Sequence, residues 1–126
     1  MAKYQFRVEV EPRFLPEQSA PSQAIYSFAY TITITNTGEV PAQLISRHWA
    51  IASSGGEMEE VRGLGVVGQQ PLLKPGEAFQ YTSGCRLRTA SGSMEGHYFF
   101  VAEDGERFDV QIPPFMLDDG AHRVLH

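Results

Sequence analysis

Residues Val61-Arg62-Gly63-Leu64-Gly65-Val66-Val67-Gly68-Gln69-Gln70-Pro71 contain a complete G-x-G-x-x-G with an arginine directly before it. Glycines at that spacing let a backbone turn tightly and aim amides at a phosphate. In a dinucleotide-binding unit a helix beginning there adds its free amides and dipole. Here Pro71 and then Lys74-Pro75-Gly76 follow, so any helix is cut within a turn. About twenty residues on stands Arg86-Leu87-Arg88, where a ribose hydroxyl needs an acidic side chain. A helix-free nest remains, making Arg62, Gly63, Gly65 and Gly68 a candidate anion loop. The competing reading, which we prefer, is that the glycines supply positive φ or close backbone approach while Val66 and Val67 fill the core.

Other chemistry has less to work with. Cys85 is the single cysteine, and His48 and His97 stand far from it in sequence. No base is placed beside the thiol, and a lone strand cysteine reads as a small buried hydrophobe, so no catalytic residue is assigned. Among the histidines only His122 and His126 are closely spaced. Glu57, Glu59 and Glu60 read as a solvated strand edge. No metal site and no cofactor are expected.

These residues are carried by a chain of 126 residues, 42% hydrophobic and 20% charged, the composition of one soluble globular domain. No apolar run approaches the ~20 residues of a membrane span, and no secretory leader is visible, so no membrane partner is expected. One cysteine fits a reducing cytoplasm. The formal charge of −5, with basic residues scattered singly, argues against nucleic-acid binding.

The periodicity is two. Tyr26, Phe28, Tyr30, Ile32 and Ile34 alternate with Ser27, Ala29, Thr31, Thr33 and Thr35, so the first set faces a core. Tyr4, Phe6, Val8 and Val10 alternate likewise, with Pro12 as the expected stop. Over 42–52, Ile45, Trp49 and Ile51 share a side that Arg47 interrupts, which puts His48 on the opposite face. Ser54-Gly55-Gly56 and Glu103-Asp104-Gly105-Glu106 read as hairpin turns, and Lys74-Pro75-Gly76-Glu77 as a type II turn. Strands follow around 58–62, 79–83 and 96–102, and another carries Phe108, Val110 and Ile112 and stops at Pro113-Pro114. Residues 16–24 form a long connection wrapping one end, and 118–126 a C-terminal tail. Seven or eight short strands without an amphipathic helix predict an all-β antiparallel β-sandwich in one domain spanning 1–126.

Several of these segments, taken in order, carry a family resemblance. They are Phe28-Ala29-Tyr30-Thr31-Ile32, Arg47-His48-Trp49, the 61–71 loop, Leu73-Lys74-Pro75-Gly76-Glu77, Tyr81-Thr82-Ser83-Gly84, Gly92-Ser93-Met94-Glu95-Gly96 and Ile112-Pro113-Pro114-Phe115. The chain resembles the ApaG family from about Tyr4 to Leu117. The resemblance implies an immunoglobulin/fibronectin type III-like sandwich in a small bacterial cytoplasmic protein without an established activity. It also implies a link, in name, to cobalt resistance and magnesium efflux, and genes that neighbour a dinucleoside tetraphosphatase. Related domains in F-box proteins and in a DNA-polymerase-interacting protein imply a protein-binding module. The family's suggested pyrophosphate motif maps onto Gly63, Gly65 and Gly68.

The resulting expectation is a non-enzymatic binding protein with an unidentified protein partner, or a second copy of itself as a homodimer. The candidate interaction surface is Arg47, His48, Met94, Glu95 and His97. The alternatives are a sensor of nucleotide or polyphosphate at the 62–71 loop and a divalent-cation protein.

Overall fold

The computed structural model describes residues 2–120. Eight strands run in chain order: β1 Phe6–Phe14, β2 Tyr26–Asn36, β3 Ala42–Ser53, β4 Met58–Leu64, β5 Leu72–Leu73, β6 Ala78–Leu87, β7 Ser91–Ala102 and β8 Arg107–Asp118. They form two antiparallel sheets. One has the order β1-β2-β6; the other has the order β4-β3-β7-β8, with the short β5 pairing β3 beyond the end of β4.

The alternation of β2 places its apolar side as expected. Phe28, Tyr30, Ile32 and Ile34 are buried against Trp49, Met94, Tyr98 and Phe100 of the facing sheet. Tyr26 is half-buried at the margin of that core. A ring cluster of Tyr30, Trp49 and Phe115 fills one end, and Phe6, Phe100 and Phe108 fill the other. Between them the hydroxyls of Tyr81 and Tyr98 share a buried 2.5 Å hydrogen bond from sheet to sheet. Burial pushes both phenols up, so they stay protonated and the bond is neutral.

Four local expectations are corrected. Pro12 does not end β1, which continues to Phe14: on an edge strand a missing N–H on the solvent side breaks no ladder. Pro113-Pro114 likewise lie inside β8, another edge strand, where the ladder shifts between Met94 and Gly96. Ser27 and Ala29 face outward yet are buried. The 16–24 connection forms two 3-10 turns, Pro16–Gln18 and Pro21–Gln23, and is tied to β2 there. Ser27 Oγ donates to the Gln18 carbonyl and the Ser27 amide to Ser19 Oγ. Finally, Ile45 does not share a side with Trp49 and Ile51. It occupies a bulge between Leu44 and Ser46, so Ala42 and Leu44 face the core on one side of it and Trp49 and Ile51 on the other.

Asn36, at the end of β2, is a buried junction. Its Nδ2 donates to the carbonyls of Val40 and Leu73, its Oδ1 accepts from the Gly38 amide, and its backbone is bonded to Gly76 and Glu77. The side chain thus ties the β2–β3 turn to β5, and the backbone of the same residue holds the turn before β6. Replacing it with alanine leaves three backbone groups unpartnered at about 1–3 kcal/mol for each that is buried. Asn36→Ala is therefore expected to lose about 3 kcal/mol or more in urea unfolding, with a Tm lower by roughly 10 °C.

Candidate functional site

The sandwich is closed along one side and open along the other. On the closed side β1 lies against β8. On the open side the edges of β4 and β6 flank a cleft, in two contiguous lobes of about 400 and 300 Å³. Both lobes are lined by Tyr30, Arg47, Trp49 and Ser83.

Arg47 is in the cleft because the Ile45 bulge turns it to the same side as Trp49 and Ile51. Opposite Arg47 in the ladder is Gly63, and a Cβ there would lie 2.8 Å from Arg47 Nη1. The absent side chain is what lets the guanidinium lie across β4. Its Nη1 donates to the carbonyls of Leu64 and Gly65 at 3.1 and 2.9 Å. Among the described residues it has no carboxylate within salt-bridge distance. The opposite wall is β6, whose Tyr81, Ser83 and Cys85 face inward. Burial, with Glu59 as a lesser cause, pushes the Cys85 thiol up to about 11, so at neutral pH it is protonated and a poor nucleophile.

The glycine loop has a geometry of its own. Val66 and Gln69 exchange two backbone hydrogen bonds of 2.8 Å around Val67-Gly68. Both central residues have positive φ, Val67 at 43° and Gly68 at 79°, as a two-residue hairpin turn of type I′ requires. Gly65 has φ of 63°, and a Cβ on it would collide with the Gln69 carbonyl. The Gly65 amide donates to the Ile45 carbonyl. The amides of Gly65, Val66 and Gln69 are thus engaged by carbonyls within the fold, and Val66 is fully buried.

Arg62 points the other way, to the outer face of the larger sheet. There His48 Nε2 lies 2.8 Å from Glu60 Oε2, with Arg62 Nη2 3.5 Å from the same oxygen. The His48 and His97 rings are 5.0 Å apart. The hydrogen bond from His48, and then Arg62, hold the exposed Glu60 carboxyl below its ordinary range.

The residues singled out in the sequence therefore fall into three places. Arg62, His48, His97 and the exposed Glu95 lie on the outer face, where a hollow of about 450 Å³ is bordered by Arg62, His48 and His97 together with Arg47 and Gly63; Arg47 and Gly68 also line the cleft, with Gly65 in the loop beside it; Met94, 2% exposed, is in the core and unavailable to a partner. His122 and His126 lie outside the described residues. Among the described residues no group of three His, Cys, Asp or Glu is placed to hold a metal ion. Tyr30, Tyr81 and Ser83 were missed as site residues because they look like ordinary inward strand positions. The available signal was Arg47 itself, a charge among inward-facing apolar residues.

Comparison with known proteins agrees with this architecture. Residues 16–102 match the ApaG domain. The chain is 71% identical over 137 residues to Protein ApaG of Acidovorax sp. (strain JS42), and 58% identical over 126 residues to Protein ApaG of Ralstonia nicotianae, covering 100% of both partners each time. It is also similar to the crystal structure of an ApaA protein from Bordetella pertussis, with a TM-score of 0.93 and 57% identity over 95% of this chain and 98% of that one.

Three substitutions test the loop. Gly65→Ala is expected to cost more than about 1 kcal/mol, because it adds a collision to an unfavourable φ. Val67→Asn, which supplies the Asn-Gly pair that type I′ turns prefer, is expected to raise stability by about 1 kcal/mol. Arg62→Ala removes only an exposed ion pair and should leave urea stability unchanged to within about 0.5 kcal/mol.

Proposed function

The chain belongs to the ApaG domain family, and from that premise we propose that it is a non-catalytic binding module that holds a partner protein at the open side of its sandwich. The observation that carries this reading is the character of the β6 edge. Sheet edges invite pairing with foreign strands, and proteins normally blunt them with proline, bulges or charge. Here β1 has Pro12 and lies along β8; β8 has Pro113-Pro114 and a shifted ladder; β4 carries Glu59 and Glu60. β6 is ten residues long, pairs β2 without a register shift, and contains one charged residue, Arg86, and no proline. It is an edge left ready for another strand.

An extended segment laid on β6 gains main-chain hydrogen bonds along the strand and sends alternate side chains into the cleft. Leu64, 75% exposed, and Val67, 53% exposed, sit at the rim and meet apolar side chains of such a segment. The module works in the cytoplasm, where Cys85 stays reduced, and any effect on cobalt or magnesium is exerted through the partner.

The test is selection of random peptides displayed on phage against the immobilised protein, followed by amide hydrogen exchange of the complexes. Enriched peptides that slow exchange along β6 are expected, together with no turnover of ATP or dinucleoside polyphosphates by purified protein. Failure to enrich any peptide, protection confined to the outer His48–His97 face, or nucleotide turnover lost in Cys85→Ala would each overturn the proposal.

A further inference from the structure

Arg47 has a feature that the edge-strand reading does not itself require. A guanidinium has five N–H donors and is charged at every physiological pH. Only Nη1 is engaged, by two carbonyls that hold the planar group in one orientation. Nε and Nη2 have no hydrogen-bond partner among the described residues, and no described polar side-chain atom is both sealed from solvent and unpartnered, so these donors reach solvent, and Arg47 lines both lobes of the cleft as well as the hollow on the outer face. An arginine used only for packing would not need its charge, and one used only for solubility would not be held by two carbonyls where Tyr30 and Trp49 line the same cleft.

The local charge points the same way. The chain carries −5 overall, yet the larger lobe is lined by two arginines, Arg47 and Arg86, against one carboxylate, Glu59. A concave site of net positive charge on an acidic protein selects an anion. The fork of Nε and Nη2 is spaced for two oxygens of one carboxylate. Register sets where that carboxylate comes from: Arg47 and Ser83 line both lobes from opposite walls. A strand added ~4.8 Å outside β6 turns every second side chain inward, so the residue beside Ser83 projects toward the guanidinium.

We infer that Arg47 is a specificity residue that reads an Asp or Glu side chain on the segment paired with β6, flanked two residues away on each side by apolar side chains that meet the cleft walls. This rests on the edge-strand reading and adds the chemistry of the occupant.

The experiment uses the phage-selected peptides, with free benzoate and its neutral isostere benzamide as small-molecule probes. The peptides are expected to share one acidic position. Changing that residue to its amide should weaken binding at least ~10-fold, as should Arg47→Gln in the protein, the effect of losing a charge-assisted pair. Arg47→Lys should recover only part of it, since an ammonium lacks the planar fork. Because Arg47→Gln also loses bonds to Leu64 and Gly65, Ser83→Asp is a second variant: it leaves those bonds intact and offers the guanidinium a competing carboxylate from the opposite wall. It should weaken acidic peptides more than their amide counterparts. Peptides that pair with β6 but bind wild type, Arg47→Gln and Ser83→Asp alike would overturn this inference and leave the edge-strand reading standing. Benzoate that binds through Arg47 while no peptide is selected would overturn both, in favour of a small carboxylate ligand. No selection and no benzoate binding would also overturn both.

Discussion

One extra residue in β3 governs the arrangement of everything near the cleft. The β3–β7 ladder steps from Leu44↔Phe100 to Ser46↔Phe99, so Ile45 has no partner of its own. Side chains on a strand alternate strictly, and a bulge shifts that alternation by one. Were the strand regular, the face carrying Ala42 and Leu44 would go on to carry His48, and Arg47 and Trp49 would be outside. With the bulge, Trp49 enters the core, Arg47 enters the cleft and His48 is turned to the outer face. The bulge is pinned from the side. The Ile45 carbonyl accepts from the Gly65 amide and Gln70 Nε2, and the Leu44 amide donates to the Pro71 carbonyl.

The glycine loop is therefore one half of a reciprocal structure. It anchors the bulge that directs Arg47 inward, and Arg47 in turn binds the loop's Leu64 and Gly65 carbonyls across the space that Gly63 leaves. Each glycine has a steric reason that requires no ligand: room for a guanidinium at Gly63, a turn too tight for a Cβ at Gly65, and a positive φ at Gly68. A spacing that elsewhere brings backbone close to a pyrophosphate here brings backbone close to the protein's own side chain. Loop, bulge and arginine are one unit, and mutations in any of them should be interpreted together.

The two long sides of the sandwich differ for a related reason. Along β1 and β8, Phe6, Phe100 and Phe108 fill the space between the sheets and the edges approach. Along β4 and β6 the inward positions are Glu59, Val61 and Gly63 facing Ser83 and Cys85, side chains too small or too polar to close the gap. A core must be apolar and filled to seal, so this side stays open.

Most of the fold was legible in the sequence because strand alternation is local: the Tyr26 to Ile34 run, the turn chemistry of Lys74-Pro75-Gly76-Glu77 and the lack of amphipathic helices suffice for an antiparallel sandwich. Prolines misled the strand ends at Pro12 and Pro113, since the cost of a missing N–H depends on whether the strand lies at an edge, which no local pattern reports. The site was legible only in its parts. Arg47 was noticed as a charge among apolar neighbours and the glycines as a motif, but adding Met94 to Arg47 and His48 took an inward strand position for an exposed one. Sequence by itself determined the fold class, the inward face of β2 and the glycine positions, because these follow from the period of two and from steric limits on φ. Only the tertiary structure decided that Arg47 lies over Gly63, that Met94 is buried and that, among the described residues, β6 pairs with β2 alone, because each depends on a bulge and on pairings between residues distant along the chain.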